Sequence, residues 1–281
     1  MKKIIKMIYH KLLKIIHLLK SRFNQTKTIF QLNQLGNQGS IIAKSYLKIR
    51  SKDFTNDEVR LFQLLRAFRE KLYNDNRVIN FEEIGSSSKM SVAQVSKRAA
   101  SPEVWTHFFY QLTKNKSIQN VLEIGTNLGV SGQYFIKALE EKPKAYFTTL
   151  EGVKGLCEIA SNRFETLTTE DRFRVIHGLY DQTLPDLIKE SNPFDFVFID
   201  GNHHYNATLN YFEMLKENLA DQAIVIFDDI NWSSGMRKAW QEIRIQKGVV
   251  FSINFFKLGI VVFDSKQTSP SKNHYQLFLS N

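Results

Sequence analysis

A single cysteine in 281 residues, Cys157, excludes an internal disulfide and agrees with a reducing compartment. That thiol reads as a small apolar filler on a helix. Acidic residues are missing from residues 1–50, which hold eleven of the 38 lysines and arginines. The rest of the chain therefore carries 27 bases against 28 acids, and the formal charge of +10 belongs to the N-terminal arm. A nucleic-acid binder would spread its charge over the body, so none is expected as a partner. Long apolar runs are missing from the arm as well. No run in residues 1–23 exceeds three, too short for the core of a secretory signal. Lysines at every turn oppose a membrane span, at about 2.5–3.5 kcal/mol each in hydrocarbon. The Lys/Ile-rich composition also disfavours an organellar transit peptide. No internal repeat is visible.

What the arm does contain is helical periodicity. Lys3, Lys6, His10, Lys14, His17 and Ser21 recur at steps of three and four, while Ile4, Ile8, Leu12, Ile15 and Leu19 belong to the opposite side. Residues 1–23 are therefore expected to form a basic amphipathic helix lying on an anionic membrane surface. Packing on a protein partner, or on a second copy in a homodimer, is the other reading. Residues 24–52, rich in Asn, Gln, Gly and Ser, predict a linker. Residues 53–116 predict a small helical cap. Its first helix spans 56–73, with Asp57 and Glu58 in the first turn, and its second spans 102–113 behind Ser101 and Pro102.

Hydrophobic content of 43% with 12% aromatics suits a packed core. Beyond Lys116 short apolar runs alternate with amphipathic stretches at 131–140, 153–166, 184–190, 206–219 and 235–246. Strands buried on both faces and alternating with helices predict an α/β, mostly parallel, Rossmann-like sheet over 117–265. Two further runs, separated only by Lys257 and Leu258, force a terminal antiparallel hairpin. Residues 266–281 form a C-terminal extension.

Ligands of such sheets bind beyond the carboxyl ends of the strands, and there each run ends in a polar signature. The first is Glu123, Gly125 and Gly129, glycines that let backbone turn sharply and approach a ligand. A third glycine of a dinucleotide fingerprint is missing, since position 127 is Asn127. Glu123 would repel a pyrophosphate but suits the ammonium of a methionine-like ligand. Glu151 follows Gly125 by 26 residues, about the distance at which an acid accepts ribose hydroxyls. After the third strand, Tyr180 can line a flat ring and Asp181 can accept from an adenine amino group. Asp200 and His203 end the fourth strand, and Asp228 and Asp229 the fifth. Three carboxylates so close repel unless a cation neutralises them, as a hard divalent ion would. His203 is then the side chain placed to take a proton. Trp232, Met236 and Trp240 form a helical stripe that could line an acceptor pocket.

These residues, in the segments 121–131, 148–152, 199–205 and 226–232, resemble class I AdoMet-dependent O-methyltransferases, the group with catechol, caffeoyl-coenzyme A and macrolide-sugar enzymes. The resemblance covers 117–265 and implies a set of roles. Gly125 and Gly129 would meet the methionine portion of AdoMet, Glu151 the ribose, and Tyr180 and Asp181 the adenine. Asp200, Asp228 and Asp229 would ligate a metal such as Mg²⁺, with His203 in the general-base position. Catechol-type members carry Lys in that position and Asn at the last ligand, so the sugar-modifying, Asp-x-x-His subgroup is nearer. The expected activity is methyl transfer to a hydroxyl of a small-molecule or sugar acceptor, free or lipid-linked, in the cytoplasm or on the inner membrane face. An iron-dependent oxygenase-like relative and a non-catalytic AdoMet-binding protein are the alternatives.

Overall fold

The computed structural model describes residues 2–279, with side chains from residue 8 onward. The N-terminal part is helical: α1 (Lys2–Asn33), α2 (Gly36–Ser51) and α3 (Asn56–Leu72). A two-stranded ribbon, β1 (Val78–Asn80) paired antiparallel with β2 (Lys89–Ser91), follows, then α4 (Val92–Ala99) and α5 (Glu103–Thr113). α3 starts at a capping box, in which Thr55 Oγ1 accepts from the Glu58 amide and Glu58 returns the bond to the Thr55 amide. Buried Glu58 also accepts from Lys48 Nζ and Gln111 Nε2, both at 2.9 Å, and so ties α2, α3 and α5 together.

The linker expected over 24–52 is not a linker. α1 continues to Asn33, and α2 buries Ile41, Ile42, Tyr46 and Ile49 in the same core as the sheet. The Asn, Gly and Ser of this stretch weaken intrinsic helix propensity, but burial of one apolar stripe outweighs propensity. The arm therefore does not hang from a flexible tether.

The body alternates as expected: β3 (Asn120–Ile124), α6 (Gly132–Leu139), β4 (Tyr146–Glu151), α7 (Lys154–Glu165), β5 (Phe173–His177), α8 (Tyr180–Glu190), β6 (Phe194–Ile199), α9 (Tyr205–Lys216), β7 (Leu219–Phe227) and α10 (Ser234–Ile243). α8 starts four residues before the sequence suggests, because Pro185 inside it hides the helical pattern upstream. The hairpin of β8 (Val249–Asn254) and β9 (Gly259–Phe263) forms, with β9 antiparallel to both β7 and β8. The C-terminal extension adds β10 (His274–Gln276), parallel to β8. The strand order is β10-β8-β9-β7-β6-β3-β4-β5, and every pairing except those of β9 is parallel.

Continuous apolar runs arise because successive side chains serve opposite faces. In β6, Phe196 and Phe198 join a cluster with Phe109 and Phe135, while Val197 and Ile199 join one with Phe212 and Phe227. The Phe109 and Phe198 rings are 4.5 Å apart, fixing α5 on the sheet directly behind the end of β6. Phe198→Ala is expected to cost about 3–5 kcal/mol of unfolding free energy, read by urea denaturation, through a cavity the neighbouring rings cannot fill.

Candidate active site at the carboxyl edge of the sheet

The turn after β3 is shaped by close backbone approach. Gly125 has φ +106°, and a Cβ there would run into the Asp200 carbonyl at the end of β6. Its amide and that of Thr126 both donate to Leu150 O, at 2.9 and 3.1 Å, locking the turn to β4. Asn127 (φ +50°) and Gly129 (φ +75°) continue the left-handed path into α6. Glu151, buried at the end of β4, accepts from the Asn127 amide at 2.8 Å and from the Val153 amide at 3.0 Å. Its carboxylate thus joins the turns that follow β3 and β4. A carboxylate offers about four acceptor positions, so capacity for a diol is left.

Glu123 is placed differently from its neighbours. It is fully buried within the sheet, accepting from Ser131 Oγ and, at 2.9 Å, from Thr149 Oγ1. Burial pushes its carboxyl up to about 8, so at neutral pH it is mostly protonated. A neutral acid braced by two hydroxyls supports the turn from behind and offers no charge to an ammonium. Tyr180 opens α8 with its ring against Gly201, where a Cβ would lie 2.5 Å from it, and 6.0 Å from the Tyr211 ring. Asp181 is exposed at the rim.

Two contributors from the cap carried no signal in the sequence. Glu83 accepts from the Lys154 amide at 2.7 Å and meets His177 Nε2 at 3.0 Å, and Ile84 lies where a Cβ on Gly152 would come within 2.6 Å. The loop between β1 and β2 thus reaches the ends of β4 and β5, a long-range contact that no local pattern encodes.

Asp200, Asp228 and Asp229 do converge, and the cation that bridges two of them, Asp228 and Asp229, belongs to the protein. Lys257, in the turn between β8 and β9, donates to both Asp228 oxygens at 2.6 and 2.7 Å and to Asp229 Oδ1 at 3.0 Å. Asp229 sits at φ +51° and gives its amide to Asp228 Oδ1 at 2.6 Å. Burial opposes charge on Lys257, yet the Asp228 and Asp229 carboxylates outweigh it and hold the ammonium above the usual lysine range. Burial, and next the nearby Asp228, push Asp200 well above the carboxylate range. His203 Nε2 lies 3.6 Å from Asp200 Oδ1, with both side chains partly open to solvent.

The divalent ion expected from Asp200, Asp228 and Asp229 does not fit this arrangement. Both oxygens of the central ligand are hydrogen-bonded to an ammonium, and a dication cannot share that place with Lys257. Among the described residues no group of three or more His, Cys, Asp or Glu has metal-binding geometry. Lys257 was within reach of the sequence, as the one charge between two apolar strands, but its partners were not.

A cavity of about 230 Å³ adjoins the cluster, walled by Asp229, Lys257, Trp232 and Phe256 and, from α1, by His10 and Lys14. Of the aromatic stripe only Trp232 reaches it. Met236 and Trp240 are buried, Trp240 against Gly259.

Residues 122–230 match the family model described as a methyltransferase domain. Among solved structures, the chain is similar to the O-methyltransferase TomG of Streptomyces achromogenes at 19% identity and a TM-score of 0.51, over 59% of this chain and 82% of that one. An O-methyltransferase from Bacillus cereus, in complex with SAH, is similar at 23% identity and a TM-score of 0.50, over 59% and 84%. The SAH-bound methyltransferase PaMTH1 of Podospora anserina is similar at 17% identity and a TM-score of 0.51, over 75% and 97%. No curated protein sequence matches the chain. The fold is that of Rossmann-like methyltransferases, and the match to the family model lies within it, from the first strand of the parallel sheet to the end of the last.

Glu123 makes a testable contribution to stability. Its folded pKa is raised, so the stability it contributes is complete below pH 4.5 and is lost as pH rises towards about 8. Relative to Glu123→Gln, the wild type should lose up to about 1.4 kcal/mol per pH unit across that window. Urea denaturation of both proteins at several pH values measures the difference, and a difference independent of pH would contradict the buried neutral acid.

Proposed function

We propose that this protein is an AdoMet-dependent O-methyltransferase acting on a hydroxyl of a small-molecule or sugar acceptor held in the cavity beside Lys257. The observation that carries this reading is the convergence at one sheet edge of the Gly125–Gly129 turn, Glu151 and the Asp200–His203 pair. AdoMet supplies the activated methyl group. The glycine turn would admit its methionine portion, Glu151 the ribose hydroxyls, and Tyr180 and Asp181 the adenine end. Each role rests on position at the edge and on unused hydrogen-bonding capacity.

His203 is the proton acceptor in this reading. The imidazole stands 3.6 Å from Asp200 at the end of β6, and an acceptor hydroxyl brought beside the ring would give it its proton as the oxygen attacks the methyl carbon of AdoMet. Lys257 lines the neighbouring cavity and would keep a positive charge near the oxygen that becomes electron-rich. The role that a divalent ion would fill thus falls to a side chain fixed by two carboxylates. The iron-dependent alternative draws on the same Asp228 oxygens and meets the same obstacle. Holding the two reactants collinear in such a site can lower a barrier by about 7–11 kcal/mol.

Two measurements test the reading. Calorimetric titration of AdoMet should give a defined affinity that Glu151→Ala weakens at least roughly tenfold, through loss of a hydrogen-bond acceptor. With sugar and phenolic hydroxyl acceptors, S-adenosylhomocysteine release should fall about 10²-fold or more in His203→Ala while AdoMet affinity persists. Release should also persist in excess EDTA. Loss of turnover with EDTA, restored by Mg²⁺, would show that Lys257 yields its place to a metal.

A further inference from the structure

α1 is packed inside out. His17, Ser21 and Thr28 are buried against the body, with His17 Nε2 2.8 Å from Leu277 O and Gln25 Oε1 accepting from Tyr46 OH at 3.2 Å. The opposite side carries Leu12, Ile15, Ile16, Leu19 and Phe23, all exposed, with Phe23 reaching 90%; Ile8 and Phe30 extend the row at either end. At about 100° per residue these side chains occupy an arc of roughly 120°, and the row is about 33 Å long. Among the described residues nothing covers it. A helix that turns its polar side inward and its apolar side out has a face shaped for something other than water.

We infer that this face docks the protein on an anionic lipid bilayer, with α1 lying flat in the interface. Charge decides the occupant. Exposed Lys11 and Arg22 border one side of the apolar row, and Lys20 and Lys27 border the other. Residues 1–52 contain no acid to neutralise them. A second copy laid across the row would set these basic borders against each other, whereas anionic headgroups flanking an acyl layer match both components. No helix among the described residues is long and apolar enough to cross a membrane, so the contact is peripheral. α1 is seated on α2 and on the C-terminal residues by its polar side, so docking uses a rigid face and requires no unfolding of the arm. The inference stands independently of methyl transfer.

Co-sedimentation of the full chain with phosphatidylcholine vesicles, with and without about one-third phosphatidylserine, tests it. The wild type should pellet with the anionic vesicles and far less with neutral ones, and binding should weaken as salt shortens the screening length. Leu12→Ser/Ile15→Ser/Leu19→Ser should reduce partitioning at least roughly tenfold with an unchanged melting temperature, since all three sites are exposed. Lys11→Glu/Lys20→Glu/Lys27→Glu provides a second variant with the apolar row intact, and it should lose the preference for anionic vesicles. Failure of the wild type to pellet, or equal pelleting of wild type and both variants, overturns the inference. So does a dimer, seen by analytical ultracentrifugation, that ignores vesicles and is dissolved by the serine substitutions.

Discussion

Lys257 and the two aspartates it bridges hold the functional edge of this protein in one arrangement. Asp228 ends the last parallel strand, Asp229 begins the turn beyond it, and Lys257 returns from the antiparallel hairpin. The Asp228 side chain is 6% exposed and the Lys257 side chain 27%. In such a setting the isolated charge of either partner is unfavourable, and removal of one strands the other. The pair therefore fixes the β8–β9 turn against β7, and with it the wall of the adjoining cavity. The backbone bond from the Ile230 amide to Lys257 O, at 3.1 Å, reinforces the same contact.

The other strand ends are tied by two buried acids. Glu151, whose carboxyl burial also raises above its ordinary range, accepts from two backbone amides, while Glu123 lies deeper, bonded to two hydroxyls and mostly neutral. Two glutamates at the ends of neighbouring strands thus divide into one that faces the cleft and one that supports it. In both, burial without a countercharge favours the protonated form, and the hydrogen bonds each accepts oppose it. Gly125 completes the design by letting β3 approach β6 closely enough for Asp200 to stand beside the turn.

The N-terminal helices share in this architecture. α2 buries its apolar stripe on the sheet, and α1 follows it with polar groups inward, reaching Leu277 next to the extra edge strand β10. Through His10 and Lys14, the helix with the exposed apolar row also contributes to the cavity beside Lys257. The exposed apolar row and the wall of this cavity therefore lie on opposite sides of one helix.

By itself, the sequence determined the order and kind of the body's elements, because continuous apolar runs and 3.6-residue periodicity are local properties. It also determined which residues stand at the strand ends, from Gly125 to Asp229, since each apolar run stops at a polar signature. The charge split and the two-sided pattern of α1 were equally visible. Only the tertiary structure decided which side of α1 faces water, because a helical pattern records two faces without saying what covers either. It alone turned residues 24–52 into helix, through burial that propensity does not register. The cation among the aspartates was likewise a tertiary matter. Electrostatics demands a positive charge near three carboxylates, and whether an ion or a lysine supplies it depends on a hairpin turn that closes on them from nearly thirty residues away.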